Sequence, residues 1–343
     1  MTGGAGFRYR AHGLEILADF EVPELLPSPR VAAPDVRILR DPEAAAVVGR
    51  AAALAGAEPR DAVVMRAAPG DRGGCFTVEG LASFWVRDGG EIRVAMAPGA
   101  DLGLVTLYIL GSALGLVLFQ RGALVLHGAS VAHRGGARLF LGPSGAGKST
   151  IAARLGQAGH PILGDDTVAL WPDGGGGFAV HPSGTSFKLW RDALEAAGLT
   201  ALARDSVARR IDKFYVANPR RAEDRGHRVA EILILARGEP LSRPRVEPVP
   251  LLEAVRMVAA NAYRPEFIDI FGAAEPHFRQ VAALVAGARV TRLIRPWDHA
   301  ATPAVADLLH RRWTAEAAEA EAQGHGASDA HGQGVAAPPR AAQ

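Results

Sequence analysis

The densest chemistry in the chain lies in nine consecutive residues, Gly142-Pro143-Ser144-Gly145-Ala146-Gly147-Lys148-Ser149-Thr150. They fit G-x-x-x-x-G-K-[S/T], the pattern of a phosphate-binding loop. Glycine at 142, 145 and 147 lets the backbone curl so that successive N–H groups point inward at phosphate oxygens. A helix starting after the loop adds partial positive charge at the same place. Lys148 supplies a mobile cation for the outer phosphates, and the Ser149 hydroxyl is a ligand suited to magnesium. The loop therefore predicts binding of a nucleoside triphosphate with Mg2+.

Two carboxylates follow closely. Asp165 and Asp166 stand 17 and 18 positions after Lys148. Phosphoryl transfer needs one carboxylate to help hold magnesium and often a second to orient or deprotonate the attacking hydroxyl. The alternative is a solvated Gly-Asp-Asp-Thr turn, where aspartate is common. His127 sits in an apolar run shortly before the loop, either as a support for the phosphate site or as a hydrogen-bonded core residue. His160 follows the helix-ending Gly159 and reads as a cap for helix carbonyls.

Lysine usage adds a further clue. Of the 38 basic residues only Lys148, Lys188 and Lys213 are lysine. A chain that uses arginine elsewhere keeps lysine where a compact, strongly hydrated ammonium is needed. Lys213 and Lys188 are accordingly candidate phosphate or substrate contacts, the alternative being that both are leftovers of composition. For Lys188 a snorkelling strand residue is the competing reading.

These residues need a scaffold. Leu139–Leu141 reads as a buried strand entering the loop, and Ile151–Ala158 as the helix leaving it. Ala123–Ala132 reads as a strand joined to the next by the tight turn at His133–Gly136, so the two are antiparallel. A Rossmann-like enzyme would enter its loop from a parallel strand, and the sheet is therefore expected to be mixed. The acid pair is expected at a strand–strand junction within Pro161–Trp171. Further strands are expected at Phe178–His181, Ser186–Leu189, Arg228–Ala236 and Val290–Ile294. Helices are expected at Trp190–Gly198, Pro250–Ala262, Glu275–Ala286 and from Pro303 to about Trp313.

Residues 1–100 read as a small, mainly antiparallel β region, suited to substrate docking or scaffolding. Its strands are expected at Ala62–Arg66, Cys75–Val78, Leu81–Val86 and Glu91–Met96, with a helix at Pro42–Ala57. Residues 101–313 form the expected ATP-binding catalytic domain. The tail from Thr314 is rich in Ala, Glu, Gly and Gln and reads as disordered. Leu102–Phe119 is uncharged and apolar, at the lower limit for a membrane span, and contains Gly111-x-x-x-Gly115. A helix buried on both sides has the same composition, and that is the preferred reading.

Composition narrows the classes. With 343 residues the chain is long enough for about two domains. A net charge of +2 with no basic run gives no argument for nucleic acid. A single cysteine, Cys75, excludes an internal disulfide and suits a reducing, cytoplasmic compartment, and no apolar signal core opens the chain. Self-association into a homo-oligomer is compatible with the sequence.

The order His127-Gly-Ala-Ser-Val, hairpin, Gly142–Thr150, helix and Gly159-His-Pro-Ile-Leu-Gly-Asp-Asp166 resembles the core of the HPr kinase/phosphorylase-like family. Phe187-Lys-Leu-Trp-Arg-Asp-Ala-Leu194, Tyr9–Ile16 and Val22–Leu25 are similar to segments of the kinases that tailor lasso-peptide precursors. The resemblance implies an α/β fold shared with phosphoenolpyruvate carboxykinase and ATP-dependent phosphorylation of a serine hydroxyl on a small protein or peptide. It implies that Lys148 and the loop hold phosphates, that Ser149 and Asp165 bind magnesium, and that Asp166 is the general base with His127 supporting it. No Glu-Ile-Arg-Gly-like segment follows the acid pair, and the C-terminal signature of the bifunctional enzymes is not found. Both absences weigh against HPr as substrate and against phosphorolysis. HPr phosphorylation in carbon regulation and a non-catalytic ATP-binding regulator are the alternative readings.

Overall fold

The computed structural model describes residues 6–322 apart from 31, 55–65, 68–72, 135, 209–210, 219 and 241. It is a mixed α/β protein with an eight-stranded, a seven-stranded and a three-stranded sheet among the described residues. The seven-stranded sheet carries the loop. Its strand Leu124–His133 alternates little and is buried along nearly its whole length, as a central strand must be. It pairs antiparallel with Gly136–Leu141 on one edge and with Ile162–Pro172 on the other. Gly136–Leu141 then pairs parallel with His227–Arg237, which pairs parallel with Arg289–Arg295. The expected antiparallel entry and mixed sheet are both present. The short strand Phe178–Val180 pairs with Ile162–Pro172 and with His227–Arg237, so the ladder returns to its starting strand.

The helix Lys148–Gln157 covers one face of this sheet, in a core that includes Phe140, Ile151, Leu155, Leu233 and Trp313. Helices Leu251–Ala259 and Ala274–Gly287 cover the other, around Leu139, Ile232, Val258 and Leu284. Glu231 lies at zero exposure in the middle of His227–Arg237. It accepts from Thr291 Oγ1 (3.1 Å), Trp313 Nε1 (2.9 Å) and Arg312 Nη2, with Arg289 Nε at 3.2 Å. Burial alone would raise its carboxyl; Arg312 and Arg289 outweigh that and hold it below the usual range.

The first hundred residues form the eight-stranded sheet. Two of its pairings, Leu14–Ala18 with Val36–Arg40 and Val36–Arg40 with Glu91–Met96, are parallel, so the region is less purely antiparallel than expected. The hairpin Phe7–Ala11/Leu14–Ala18 also belongs to it. Most of the expected strand Ala62–Arg66 lies outside the described residues; Arg66–Ala67 pairs with Gly74–Val78.

Leu102–Gln120 is one continuous helix whose middle, Ile109–Ala113, widens to a π turn. The Asp101 side chain caps it by accepting from the Gly103 and Leu104 N–H groups. It is long and apolar enough to cross a membrane, and 56% of its most apolar window is buried inside the fold. Val105, Ile109, Leu116 and Val117 join Phe76 and Phe84 of the eight-stranded sheet and Phe267 in a single core. The close glycine spacing serves this burial. A Cβ at Gly115 would lie 2.7 Å from the Tyr263 ring, and one at Gly111 would lie 3.2 Å from its hydroxyl.

The last helix corrects an expectation. It runs Thr302–Ala322, nine residues past Trp313, across a stretch whose composition reads as disorder. Alanine and glutamate are also strong helix formers. Arg312 and Glu316 add an i,i+4 pair at 3.1 Å, and Arg289 binds Glu316 from the sheet. Residues 323–343 of the expected tail lie outside the described residues.

Candidate active site

The loop is fixed from two sides by residues distant in sequence. The Gly142 N–H donates to Asn261 Oδ1 at 2.8 Å. Arg295, 3% exposed at the end of its strand, donates Nη1 to the Ala146 carbonyl at 3.2 Å. Gly147 has φ 91°, and a Cβ there would meet Arg295 Nη1 at 2.5 Å, so both the conformation and the space demand glycine. The helix begins at Lys148 with no side-chain cap, which leaves the N–H groups of its first turn without partners inside the helix. Lys148 folds over the loop, donating Nζ to the carbonyls of Gly142 (2.8 Å) and Pro143 (3.0 Å). Burial, with the nearby Lys213 ammonium, lowers its pKa against the pull of Asp165 and Asp166.

Asp165 and Asp166 sit inside one continuous strand, Ile162–Pro172, opposite Ala129 and Gly128, rather than at a junction between two strands. Regular alternation would send adjacent side chains to opposite faces. Asp166 breaks it with φ 72°, a left-handed conformation that costs on the order of 1 kcal/mol or more in a non-glycine residue. The two carboxylates then serve one site. Asp165 Oδ1 accepts from Ser149 Oγ at 2.6 Å, and its Oδ2 accepts from the Lys188 N–H at 3.0 Å. Asp166 Oδ2 accepts from Lys188 Nζ at 2.8 Å and lies 4.0 Å from Lys213 Nζ. His127 Nδ1 is 3.0 Å from the Asp166 carbonyl oxygen and 3.8 Å from its Oδ1. A carbonyl only accepts, so Nδ1 carries the proton. Burial and then Lys148 lower the pKa of His127.

Lys188 and Lys213 reach Asp166 from the three-stranded sheet. Ser186–Trp190 runs antiparallel to Ile211–Ala217, with Lys188 opposite Tyr215 and Trp190 opposite Lys213. The period of two puts these four side chains on one face. Burial works against the charge of Lys188, but Asp166 outweighs it and raises the ammonium above its ordinary value. Burial likewise opposes the Asp166 charge, and Lys188 followed by Lys213 hold that carboxyl well below the usual range. Tyr215, buried beside them, is pushed up to about 12 by burial, and its hydroxyl has no hydrogen-bond partner among the described residues.

All three lysines of the chain therefore line one hollow, with Ser144, Gly145, Gly147, Ser149 and Thr150 of the loop. Trp190, 51% exposed, stands at its rim, with Lys213 Nζ 5.9 Å from the ring centroid. Asp166 and His127 also line a second hollow, on the side of Gly142 and Pro143. His160 is elsewhere: its N–H donates to the Leu155 carbonyl, and its ring lies between His133 and His310. Asn261 and Arg295 were not legible as site residues. Asn261 leaves one trace, a polar side chain interrupting the apolar Met257–Ala262 run. Arg295 leaves none among 35 arginines.

The family of SynChlorMet cassette protein ScmC matches residues 97–203, which span the apolar helix, the loop, the acid pair and Lys188. Among curated proteins the comparison gives no match. Among solved structures, the Hpr(Ser) kinase/phosphatase from Coxiella burnetii is a structural neighbour at 13% identity. The match covers 60% of this chain and 99% of that one with a TM-score of 0.30, too low to carry an argument about the site.

Proposed function

We propose that this chain is an ATP-dependent kinase that transfers the γ-phosphoryl group to a serine hydroxyl of a small protein or peptide. The carrying observation is the joining of Ser149 to Asp165 at the foot of the loop, directly beside Asp166. The triphosphate lies in the hollow lined by the three lysines, its outer phosphates at Lys148 and the loop N–H groups. Ser149 and Asp165 together offer hard oxygens at one spot, the donor set magnesium takes when phosphates complete its shell. Bound there, magnesium would neutralise charge on the phosphate oxygens.

The serine oxygen attacks the γ-phosphorus, forming one O–P bond as the bridging P–O bond to ADP breaks. The serine proton passes to Asp166 and on to solvent. Because Lys188 and Lys213 hold Asp166 so acidic, it accepts that proton late, and its main contribution is orienting the hydroxyl. Lys188 and Lys213 thereby act both on Asp166 and on charge developing at the transferred group.

The favoured acceptor is the precursor of a ribosomally made peptide. The partial match to a cassette protein directs the search first to small proteins encoded beside this one. The test incubates such candidates with ATP and magnesium and looks for a mass gain of about 80 Da on a serine, one phosphoryl group. Transfer that persists undiminished in Lys148→Ala sinks the site assignment. ATP binding without transfer to any candidate or to water returns the chain to a nucleotide-binding regulator.

A further inference from the structure

The two hollows that share Asp166 and His127 differ in charge. The first holds Lys148, Lys188 and Lys213 and the N-terminus of the loop helix. The second is walled by Ala260, Asn261, Ala262, Tyr263, Arg264 and Glu266, beside Gly142 and Pro143. Its one guanidinium is already engaged. Arg264 donates Nη2 to Ser112 Oγ at 2.7 Å and Nη1 to Glu266 Oε1 at 3.2 Å. Glu266 is matched by Arg264, and Asp166 by Lys188 and Lys213 of the first hollow, so the lining of the second hollow offers a triphosphate no unengaged cation.

Phosphoryl transfer places the attacking and leaving oxygens roughly in line across the phosphorus. A nucleotide in the first hollow, with its γ-phosphate at Asp166, therefore leaves the acceptor to come from the other side. Resting on the kinase reading above, we infer that the second hollow is the acceptor entrance. With no unengaged cation in its lining, it takes a hydroxyl-bearing peptide segment with neutral or basic neighbours.

The wall is built for a fixed position. Ala262 bridges to Leu126, the Tyr263 N–H donates to the Val125 carbonyl (2.9 Å), and the His127 N–H donates to the Asn261 carbonyl (2.8 Å). The wall thus extends the edge of the strand that carries His127. Its outer side is seated on the apolar helix, with the Tyr263 ring in the notch at Gly111 and Gly115 and Arg264 on Ser112 of the π turn. Arg264 has φ 50°, a left-handed backbone held by these contacts. The same Asn261 whose backbone borders the acceptor hollow holds the Gly142 N–H with its side chain. Loop and wall are thereby kept in register.

Two variants, each with one added cysteine, test the assignment without knowing the acceptor, since the native Cys75 is buried. Asp192→Cys places a thiol on the first hollow and Ala260→Cys places one on the second. Alkylation by a maleimide is timed with and without a non-hydrolysable ATP analogue and magnesium. At ten times its dissociation constant the analogue should slow labelling of Asp192→Cys by about tenfold and leave Ala260→Cys unchanged. Protein fully labelled at Ala260→Cys with a bulky maleimide should still bind the analogue with unchanged affinity. Protection of Ala260→Cys, or loss of nucleotide binding on labelling it, overturns the inference and leaves the kinase reading standing. Protection at neither position overturns both.

Discussion

Two acidic clusters occupy the same sheet and have opposite designs. Glu231 has zero exposure, and its oxygens are engaged by Thr291, Trp313, Arg312 and Arg289. Asp166 is also held by cations, but a third of its side chain is exposed and it faces two hollows. Both carboxyls are held below their ordinary range against burial. A shifted pKa alone therefore does not separate a structural ion cluster from a reactive one. What separates them is access. The Glu231 cluster is closed and uses arginine, whose fork fills several acceptor positions at once. The Asp166 cluster is open and uses lysine, whose ammonium can be shared with an incoming phosphate.

The contrast breaks most sharply at the open cluster. Lys148→Ala should cost about 10³-fold or more in transfer, since charge is lost where phosphate charge must be stabilised, with folding retained. γ-Phosphate transfer assays alongside thermal unfolding check both halves. Asp166→Asn should keep ATP binding and lose about 10²–10⁴-fold in turnover. An unchanged rate there would return Asp166 to a turn-forming role.

At the closed cluster the expectation reverses. Glu231→Gln removes the carboxylate from Arg138, whose Nε lies 3.8 Å from it, and leaves Arg289 and Arg312 with Glu316 alone, and should cost about 3–5 kcal/mol of stability. Nucleotide affinity at a temperature where the variant is folded should not change. Urea titration and nucleotide binding measured on the same preparation decide it. Gly115→Ala is milder, since the Tyr263 ring must yield to the new methyl. About 1–3 kcal/mol is expected from overpacking, read from the urea midpoint.

The smallest effect is a pH slope. Burial, with neighbouring cations or histidines, depresses His12, His160 and His181 from 6.5 to about 4. Between those values the folded chain binds fewer protons than the unfolded one, so stability falls as pH drops from 6.5 towards 4. Each histidine contributes at most about 1.4 kcal/mol per pH unit. His160→Gln should flatten the slope of urea midpoint against pH in that window. An identical slope in the variant removes His160 from the account.

The sequence disclosed the parts of the site that are local. Strand, loop and helix adjoin in the chain, and the tight turn before Gly136 dictated the antiparallel entry. The acid pair was visible as two residues but not as a device. Gly-Asp-Asp-Thr placed the pair at a strand–strand junction, with a solvated turn as the alternative, because aspartate tolerates left-handed φ; the structure uses that tolerance inside one strand so that both carboxylates serve one site. Asn261, Arg295 and the wall at Tyr263–Glu266 were hidden because their partners lie more than a hundred residues away. The helix beyond Trp313 was missed because Ala/Glu composition describes disorder and helix equally until Arg289 supplies a contact.

The scarcity of lysine has a practical corollary. Apart from the amino terminus, every primary amine in this chain belongs to a lysine that lines one hollow. Amine-directed acylation would thus act as an address written into composition. Lys148 and Lys188 are shielded by their hydrogen bonds, so Lys213 would react first among the side chains, and its protection by ATP would test whether the hollow takes a nucleotide.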